Sequence, residues 1–196
     1  MMRWPLIPTV VVAAAVAVMI ALGVWQLQRK GEKEALIAQY REASGLPPIA
    51  YPSVPTQDAK LFYRRADGFC LEPVGWRSTA GRNMQDQTGW SHIVSCRTGG
   101  VEGPGMQVDM GWSKSSTSPA GWKGGAVSGI IAPDRLHKIR LVSSQAAPGL
   151  VPSARPSPEA TPNNHLLYAL QWFFFAAGAA VVYVLALRKR QGNPPA

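Results

Sequence analysis

The sequence predicts an integral membrane α+β protein in which two transmembrane helices flank an extracytoplasmic, mostly antiparallel β domain. Two observations predict the helices. Residues 4–28 and 166–187 carry no charged side chain, and each run is long enough to cross a hydrocarbon core, which takes about 20 helical residues. A third observation predicts the sheet: between the runs lie short stretches rich in aromatic and β-branched residues, separated by Gly, Asp, Asn, Ser and Pro.

The first transmembrane helix is predicted at residues 5–28, with Trp4 and Trp25 at its two ends, where amphipathic rings favour the membrane interface. The alternative is a cleaved signal peptide. The apolar run exceeds the usual signal-peptide length of about 7–15 residues, and no segment suited to cleavage follows it. Residues 29–43 continue as a juxtamembrane helix, because Leu36, Ile37 and Tyr40 recur at helical spacing.

A Pro-rich connector is predicted at residues 44–59 and a second at residues 143–163, since prolines cannot continue a helix. Between them the β domain occupies residues 60–142. Its six expected strands contain the segments "LFYRRA", "FCLEPVGW", "WSHIVSCRT", "MQVDMGW", "AVSGIIA" and "HKIRLV". Short strands with glycine-rich connections favour an antiparallel sheet or a small open barrel.

The second transmembrane helix is predicted at residues 164–187, followed by a basic cytoplasmic tail at residues 188–196. Positive flanks favour the cytoplasm. The tail begins with "RKR", and Arg3 precedes the first helix, so both termini are expected in the cytoplasm and the central loop in the periplasm, with the chain in the cell inner membrane. Arg29, Lys30 and Lys33 oppose this orientation, although no acidic residue accompanies the C-terminal triplet.

The net charge of the chain is +9. Residues 42–163 carry 12 Lys and Arg against 9 Asp and Glu, so most of the excess positive charge lies beside the two predicted membrane spans. This distribution favours contact with lipid headgroups and argues against nucleic acid as a partner. An oxidising compartment would permit a disulfide between the two cysteines, Cys70 and Cys96. Two buried thiols are the alternative, and a metal site with His92 lacks a further clear ligand pair.

The sequence contains no strong catalytic motif, because G-x-S-x-G, H-E-x-x-H, a phosphate loop and C-x-x-C are all missing. The hydroxyls and lysine of "KSSTS", residues 114–118, lie in an expected hairpin loop without a base or an orienting group. The chain is therefore expected not to be an enzyme.

Polar and aromatic residues collect at the two membrane edges that the topology places on the outer side. His165, Tyr168 and Trp172 fall at i, i+3 and i+7 and so share one helical face. The first helix contributes Trp25, Gln26 and Arg29 at the same membrane level. A neutral imidazole can ligate haem iron, and an arginine can pair with a propionate. The simpler interpretation is that His165 is an interfacial residue that only anchors the helix.

Motifs at both ends of the chain resemble the Surfeit locus protein 1 family, whose members support assembly of haem-copper oxidases. "LGVWQLQR", residues 22–29, is similar to the family signature L-G-x-W-Q-x-x-R, and "NNHLLYALQWF", residues 163–173, is similar to its second membrane segment. The central "VDMGW", residues 108–112, departs from the family's Val-Asn-Arg-Gly-Trp in its polar pair.

The resemblance implies a cytochrome c oxidase assembly factor that holds haem a transiently and assists its insertion into the catalytic subunit. The implied partners are that subunit, haem a synthase and the lipid bilayer. His165 is the implied ligand of the haem iron, and the other haem-binding residues are expected to be Tyr168, Trp172, Arg29, Trp25 and Gln26. The alternative is a haem-independent structural chaperone that docks on the nascent oxidase subunit.

Overall fold

Two helices begin and end the part of the chain that the structure describes. The structure is a computed structural model that describes residues 5–54, 56–99, 105–119 and 121–192. Helix α1 runs over Leu6–Gly45 and helix α2 over His165–Gly192. Both are long and apolar enough to cross a membrane. The expected roles of Arg3 and Trp4 concern positions outside the described residues.

The chain divides into two units. The helical unit consists of the described residues up to Ala35 together with those from Pro162 onward, and the β unit is Leu36–Thr161. The last turns of α1 therefore belong to the β unit. Within that unit the Tyr40 ring lies 4.7 Å from the Tyr63 ring and 6.1 Å from the Phe62 ring, centroid to centroid. This aromatic cluster packs the last turns of α1 against Phe62 and Tyr63.

The β unit contains a seven-stranded sheet. Its strands are β1 (Ile49–Ala50), β2 (Arg65–Cys70), β3 (Glu72–Arg82), β4 (Thr88–Arg97), β5 (Gly105–Ser113), β6 (Gly125–Asp134) and β7 (Lys138–Ser143). They lie in the order β1-β2-β6-β7-β5-β4-β3. The pairs β2–β6, β3–β4, β4–β5 and β6–β7 are antiparallel, and β1–β2 and β5–β7 are parallel. This architecture confirms the predicted α+β class with a mostly antiparallel sheet.

Two of the six expected strands begin or end at residues other than those predicted from the sequence. The first four residues of "LFYRRA" lie outside the strand, because the Asp58 carboxylate accepts a bond from the Lys60 amide at 2.9 Å and caps a 3-10 turn over Ala59–Leu61. "FCLEPVGW" belongs to two strands rather than one. At Leu71 the chain leaves β6 and donates its amide to the Arg97 carbonyl at 2.9 Å, so β3 begins beside β4.

Cys70 and Cys96 form a disulfide inside the core of the β unit. Both side chains are almost fully buried, among residues such as Val94, Met106 and Val127. The bond joins the end of β2 to β4, two strands that are not neighbours in the sheet. The free-thiol alternative is therefore wrong, and Cys96 is not available as a metal ligand.

His92, which the sequence placed next to a hypothetical metal site, is fully buried among serine hydroxyls instead. Its Nε2 lies 2.8 Å from the Ser113 Oγ, and its Nδ1 lies 3.2 Å from both the Ser78 Oγ and the Ser118 Oγ. Burial lowers the pKa of the His92 imidazole below its ordinary value. These contacts give His92 a structural role in the sheet.

The segment after β7, expected to be an extended connector, contributes to the β domain itself. Val151 exchanges two backbone hydrogen bonds with Trp112, at 2.7 and 3.1 Å, and the Ala154 amide donates to the Arg82 carbonyl at 2.8 Å. Gly111 permits this approach. Its φ is 130°, and a Cβ there would lie 2.7 Å from the Val151 carbonyl oxygen.

Candidate functional site

Small residues bring α1 and α2 together in the helical unit. Gly23 of α1 is buried, and in α2 Ala169 and Ala176 are buried. A Cβ at Gly23 would lie 2.6 Å from the Phe173 Cε1 atom. Glycine and alanine at such positions let helix backbones approach closely in lipid, where packing replaces the hydrophobic effect as the driving force. The pairing fixes which side chains of the two helices meet at the edge of the apolar segment.

The polar contact at that edge joins His165, the first residue of α2, to Gln26 of α1. The His165 Nδ1 lies 2.6 Å from the Gln26 Oε1. An amide oxygen only accepts hydrogen bonds, so the Nδ1 carries the proton and donates. The lone pair of the imidazole is then on Nε2, and among the described residues no group bonds that atom. A second partner that fixes the tautomer in this way is typical of metal-ligating histidines.

Arg29 and Trp25 interact with each other and with the same helix. The Arg29 guanidinium lies 5.6 Å from the centre of the Trp25 ring and forms an ion pair with Glu32 at 2.6 Å. Both contacts are exposed and local, and they hold the guanidinium near the Trp25 ring. The Glu32 carboxylate would therefore compete with a haem propionate for the Arg29 guanidinium.

Tyr168 and Trp172 lie in α2 with His165, at the helical spacing that places the three on one face. Tyr168 is 52% exposed. Trp172 is half-buried and packs edge-on against Phe175, with ring centres 6.4 Å apart. Of the six residues that the sequence grouped at this edge, the structure joins His165 with Gln26 and Arg29 with Trp25. The grouping of all six around one ligand stays a prediction.

Two features of this region were missed from the sequence. The Oδ1 of Asn163 is buried and has no hydrogen-bond partner among the described residues. At the other end of the paired helices the Thr9 and Tyr183 hydroxyls lie 2.5 Å apart. Polar side chains within apolar helices tend to face a partner, and this was the available signal for the Thr9–Tyr183 pair.

The donors at this edge are one imidazole and one amide, which suit a cofactor that brings its own metal ligands better than they suit a bare metal ion. In the described ranges no group of three or more His, Cys, Asp and Glu residues could hold a bare metal ion. A porphyrin needs no such cluster, because its own four nitrogens bind the iron and one imidazole nitrogen can complete the axial position. His165 offers that nitrogen, and the Gln26 amide orients the ring.

Close packing at Gly23 leads to a prediction with a matched control. Gly23→Leu should lower the stability of the helix pair by about 1–3 kcal/mol, the usual cost of overpacking, because its side chain would meet Phe173. Gly178→Leu adds the same apolar group to α2 at a position with no atom within 4 Å. The measurement is the amount of folded protein in membranes and its unfolding temperature in detergent. Equal behaviour of the two variants would argue against the packing role of Gly23.

A comparison with known protein families matches most of the chain to one family. The SURF1 family model matches residues 13–177, which include most of α1, the whole sheet and the first half of α2. No curated protein matches the chain. The matched range contains Gln26 and His165, so both partners of the polar contact lie within it.

Proposed function

The chain belongs to the SURF1 family of cytochrome oxidase assembly factors, and from that premise we propose that it holds haem a transiently and passes it to the catalytic subunit of the oxidase. Haem a is the cargo in this proposal and His165 is the iron ligand. The observation that carries it is the hydrogen bond from the His165 Nδ1 to the Gln26 Oε1, which leaves Nε2 as the acceptor nitrogen.

The surroundings of His165 suit a ligand that must be released. The residue is half-buried, lies at the first position of α2 and is oriented by one neutral amide. A carboxylate in place of Gln26 would raise the basicity of the imidazole further and strengthen its bond to iron. A neutral partner supports ligation of moderate strength, which allows handover to the oxidase subunit. Supply of the cargo by haem a synthase is part of the same proposal.

We propose that the β domain lies in the periplasm and that both termini lie in the cytoplasm of a cell with an inner membrane. The disulfide between Cys70 and Cys96 supports this orientation, because such bonds persist in oxidising compartments. The end of α2 supports it as well, since Arg188, Lys189 and Arg190 follow the apolar run.

Reporter fusions test that orientation. A reporter active only in the periplasm should be active when inserted between residues 115 and 119 and inactive after Gln191. Membrane insertion of each fusion is checked by carbonate extraction. The opposite pattern of activity would reject the proposed topology while leaving the family assignment untouched.

The haem proposal is tested by purifying the full chain from cells that make haem a. We expect an absorption spectrum and a pyridine haemochrome with the signature of haem a. Protein from cells that make only haem b serves as the control for selectivity. If the chain never carries haem but still supports oxidase assembly, the haem-independent chaperone is the correct function.

A further inference from the structure

A cavity of about 960 Å³ opens in the β unit, well separated in sequence from the helical edge described above. Its walls come from β3, from the turn between β6 and β7 and from the start of β7. Among the described residues that line it, four are cationic and Asp134 is the one that carries a carboxylate. The cations are Arg77, Arg135, Lys138 and Arg140. We call this cavity the cationic pocket.

Both oxygens of the Asp134 carboxylate already accept hydrogen bonds from other groups of the protein. Its Oδ2 accepts hydrogen bonds from Arg77 at 2.5 Å and from Arg140 at 3.4 Å. Its Oδ1 accepts bonds from the backbone amides of Leu136 and His137, both at 2.9 Å. One buried carboxylate therefore serves two guanidinium groups and two amides, and it cannot neutralise both arginines.

Both arginines retain donors without acceptors. The Nε atoms of Arg77 and Arg140 are buried, and neither has a hydrogen-bond partner among the residues that the structure describes. The two side chains are only 25% and 26% exposed, so bulk water screens them weakly. A buried donor without an acceptor costs free energy. An anion entering the pocket would provide acceptors for the N–H groups of the same two guanidiniums that stay accessible, since each side chain is partly exposed.

The rim of the pocket adds further positive charge. Arg135 and Lys138 are exposed, and in the described part of the chain neither forms an ion pair. Lys138 has a φ of 68°, an unfavourable conformation for a residue with a side chain. Strain of this kind is retained where the surrounding structure holds it, often at binding sites.

A second carboxyl group near Arg140 contributes little counter-charge. The Asp109 Oδ2 lies 3.9 Å from the Arg140 Nε, which is beyond hydrogen-bond distance. Burial raises the pKa of the Asp109 carboxyl above its ordinary value, although a bond from Ser153 and the charge of Arg140 act in the opposite direction. Asp134 behaves differently. Burial raises its pKa too, but the bonds from Arg77 and the two amides outweigh that effect and leave the pKa below its ordinary value.

We propose that the cationic pocket is a binding site for an organic anion that carries carboxylate or phosphate groups on an apolar body. Arg77 and Arg140 bind the acid group with charge-assisted hydrogen bonds, and Arg135 and Lys138 attract it from the rim. The apolar body packs against Phe62, Pro133 and Leu136, which line the same cavity. The volume is within the range of small-molecule sites, about 300–1,000 Å³, and exceeds what an inorganic ion alone would fill.

The test uses 2,6-naphthalenedicarboxylate as the probe and the full chain in nanodiscs of zwitterionic phospholipid. Calorimetric titration should show binding that weakens with salt, because the contacts are between charges. The dimethyl ester, which has the same body without charge, should bind at least about tenfold more weakly, as should succinate, which has the charge without the body. Equal binding of the dicarboxylate and its ester would overturn the proposal.

Three variants identify the site. Arg77→Gln should weaken the dicarboxylate at least about tenfold by removing a charged hydrogen bond. Arg135→Gln, at an exposed rim position that leaves the fold intact, should weaken it by a smaller factor. Arg65→Gln makes the same change on the exposed face of β2 outside the lining and should bind like the original chain. If Arg77→Gln and Arg135→Gln both bind like Arg65→Gln, the pocket is not the site.

The same experiment distinguishes two possible sources of the natural anion, a lipid headgroup and a soluble organic acid. Nanodiscs that contain an anionic phospholipid compete with the probe if the pocket takes a lipid headgroup, and they leave its affinity unchanged if the ligand is a soluble organic acid. This test measures binding of the dicarboxylate and not haem content. A negative result would therefore reject the pocket as an anion site without bearing on the proposed role of His165.

Discussion

Alanine in place of His165 is expected to abolish haem retention by the purified protein. The substitution removes the nitrogen proposed as iron ligand. Alanine is apolar and a good helix former, so α2 should still form and insert. The measurement is haem per protein by pyridine haemochrome after purification from cells that make haem a. Membrane abundance is determined in parallel, so that loss of haem is not confused with loss of protein.

Two further variants show whether ligation or general disturbance is responsible. His137→Ala makes the same chemical change in the exposed turn between β6 and β7 and should retain the original haem content. Gln26→Leu removes the acceptor for the His165 Nδ1 and should lower affinity by about 10–100-fold, as for other groups that orient a metal ligand. If His165→Ala keeps its haem and spectrum, the residue is an interfacial anchor and the ligand assignment is wrong.

Removal of the disulfide is expected to have the largest effect on stability. The double substitution Cys70→Ala and Cys96→Ala should lower the free energy of unfolding of the β domain by about 2–5 kcal/mol, the usual effect of losing a native disulfide in a small domain. The two sulfurs lie in the core, so the variant also loses packed volume. Denaturant titration of the full chain in detergent, followed by tryptophan fluorescence, gives the difference.

The original protein treated with a reductant is the matched control for that experiment, because it loses the cross-link but keeps both sulfurs. Its midpoint should lie between those of the oxidised protein and the double variant. Coincident midpoints for all three samples would show that the bond contributes nothing to stability.

The parts of the fold that follow from local patterns could be predicted from the sequence. Charge-free runs are long and unambiguous, so both membrane-length helices were expected. Alternation of residue types similarly indicated most strands. The limits near Leu71 were not visible, because the change of partner from β6 to β4 depends on the Arg97 carbonyl, which lies far along the chain. Local propensity carries no information about that contact.

The candidate site was predicted in composition but not in arrangement. Helical spacing placed His165, Tyr168 and Trp172 on one face, whereas contact with the other helix selects Gln26 as the partner of His165. The cationic pocket was not foreseen at all. Arg140 lies on β7, the neighbour of the strand that carries Asp134, but Arg77 lies on β3, which three other strands separate from β6 in the sheet order. In the sequence alone, neither arginine differs from an ordinary surface arginine.

The backbone bonds made by Val151 and Ala154 have a consequence for the order in which the nascent chain acquires structure. Ala154 donates to Arg82 and Val151 pairs with Trp112, so the backbone groups at these two positions of β3 and β5 lack these partners until synthesis has passed residue 154. Contacts between such distant segments form late and slowly. Since α2 begins at His165, the ribosome is about to translate the second helix when these last backbone bonds can form. Until then the edge backbone groups at Arg82 and Trp112 stay open, and unpaired strand edges make chains prone to aggregate.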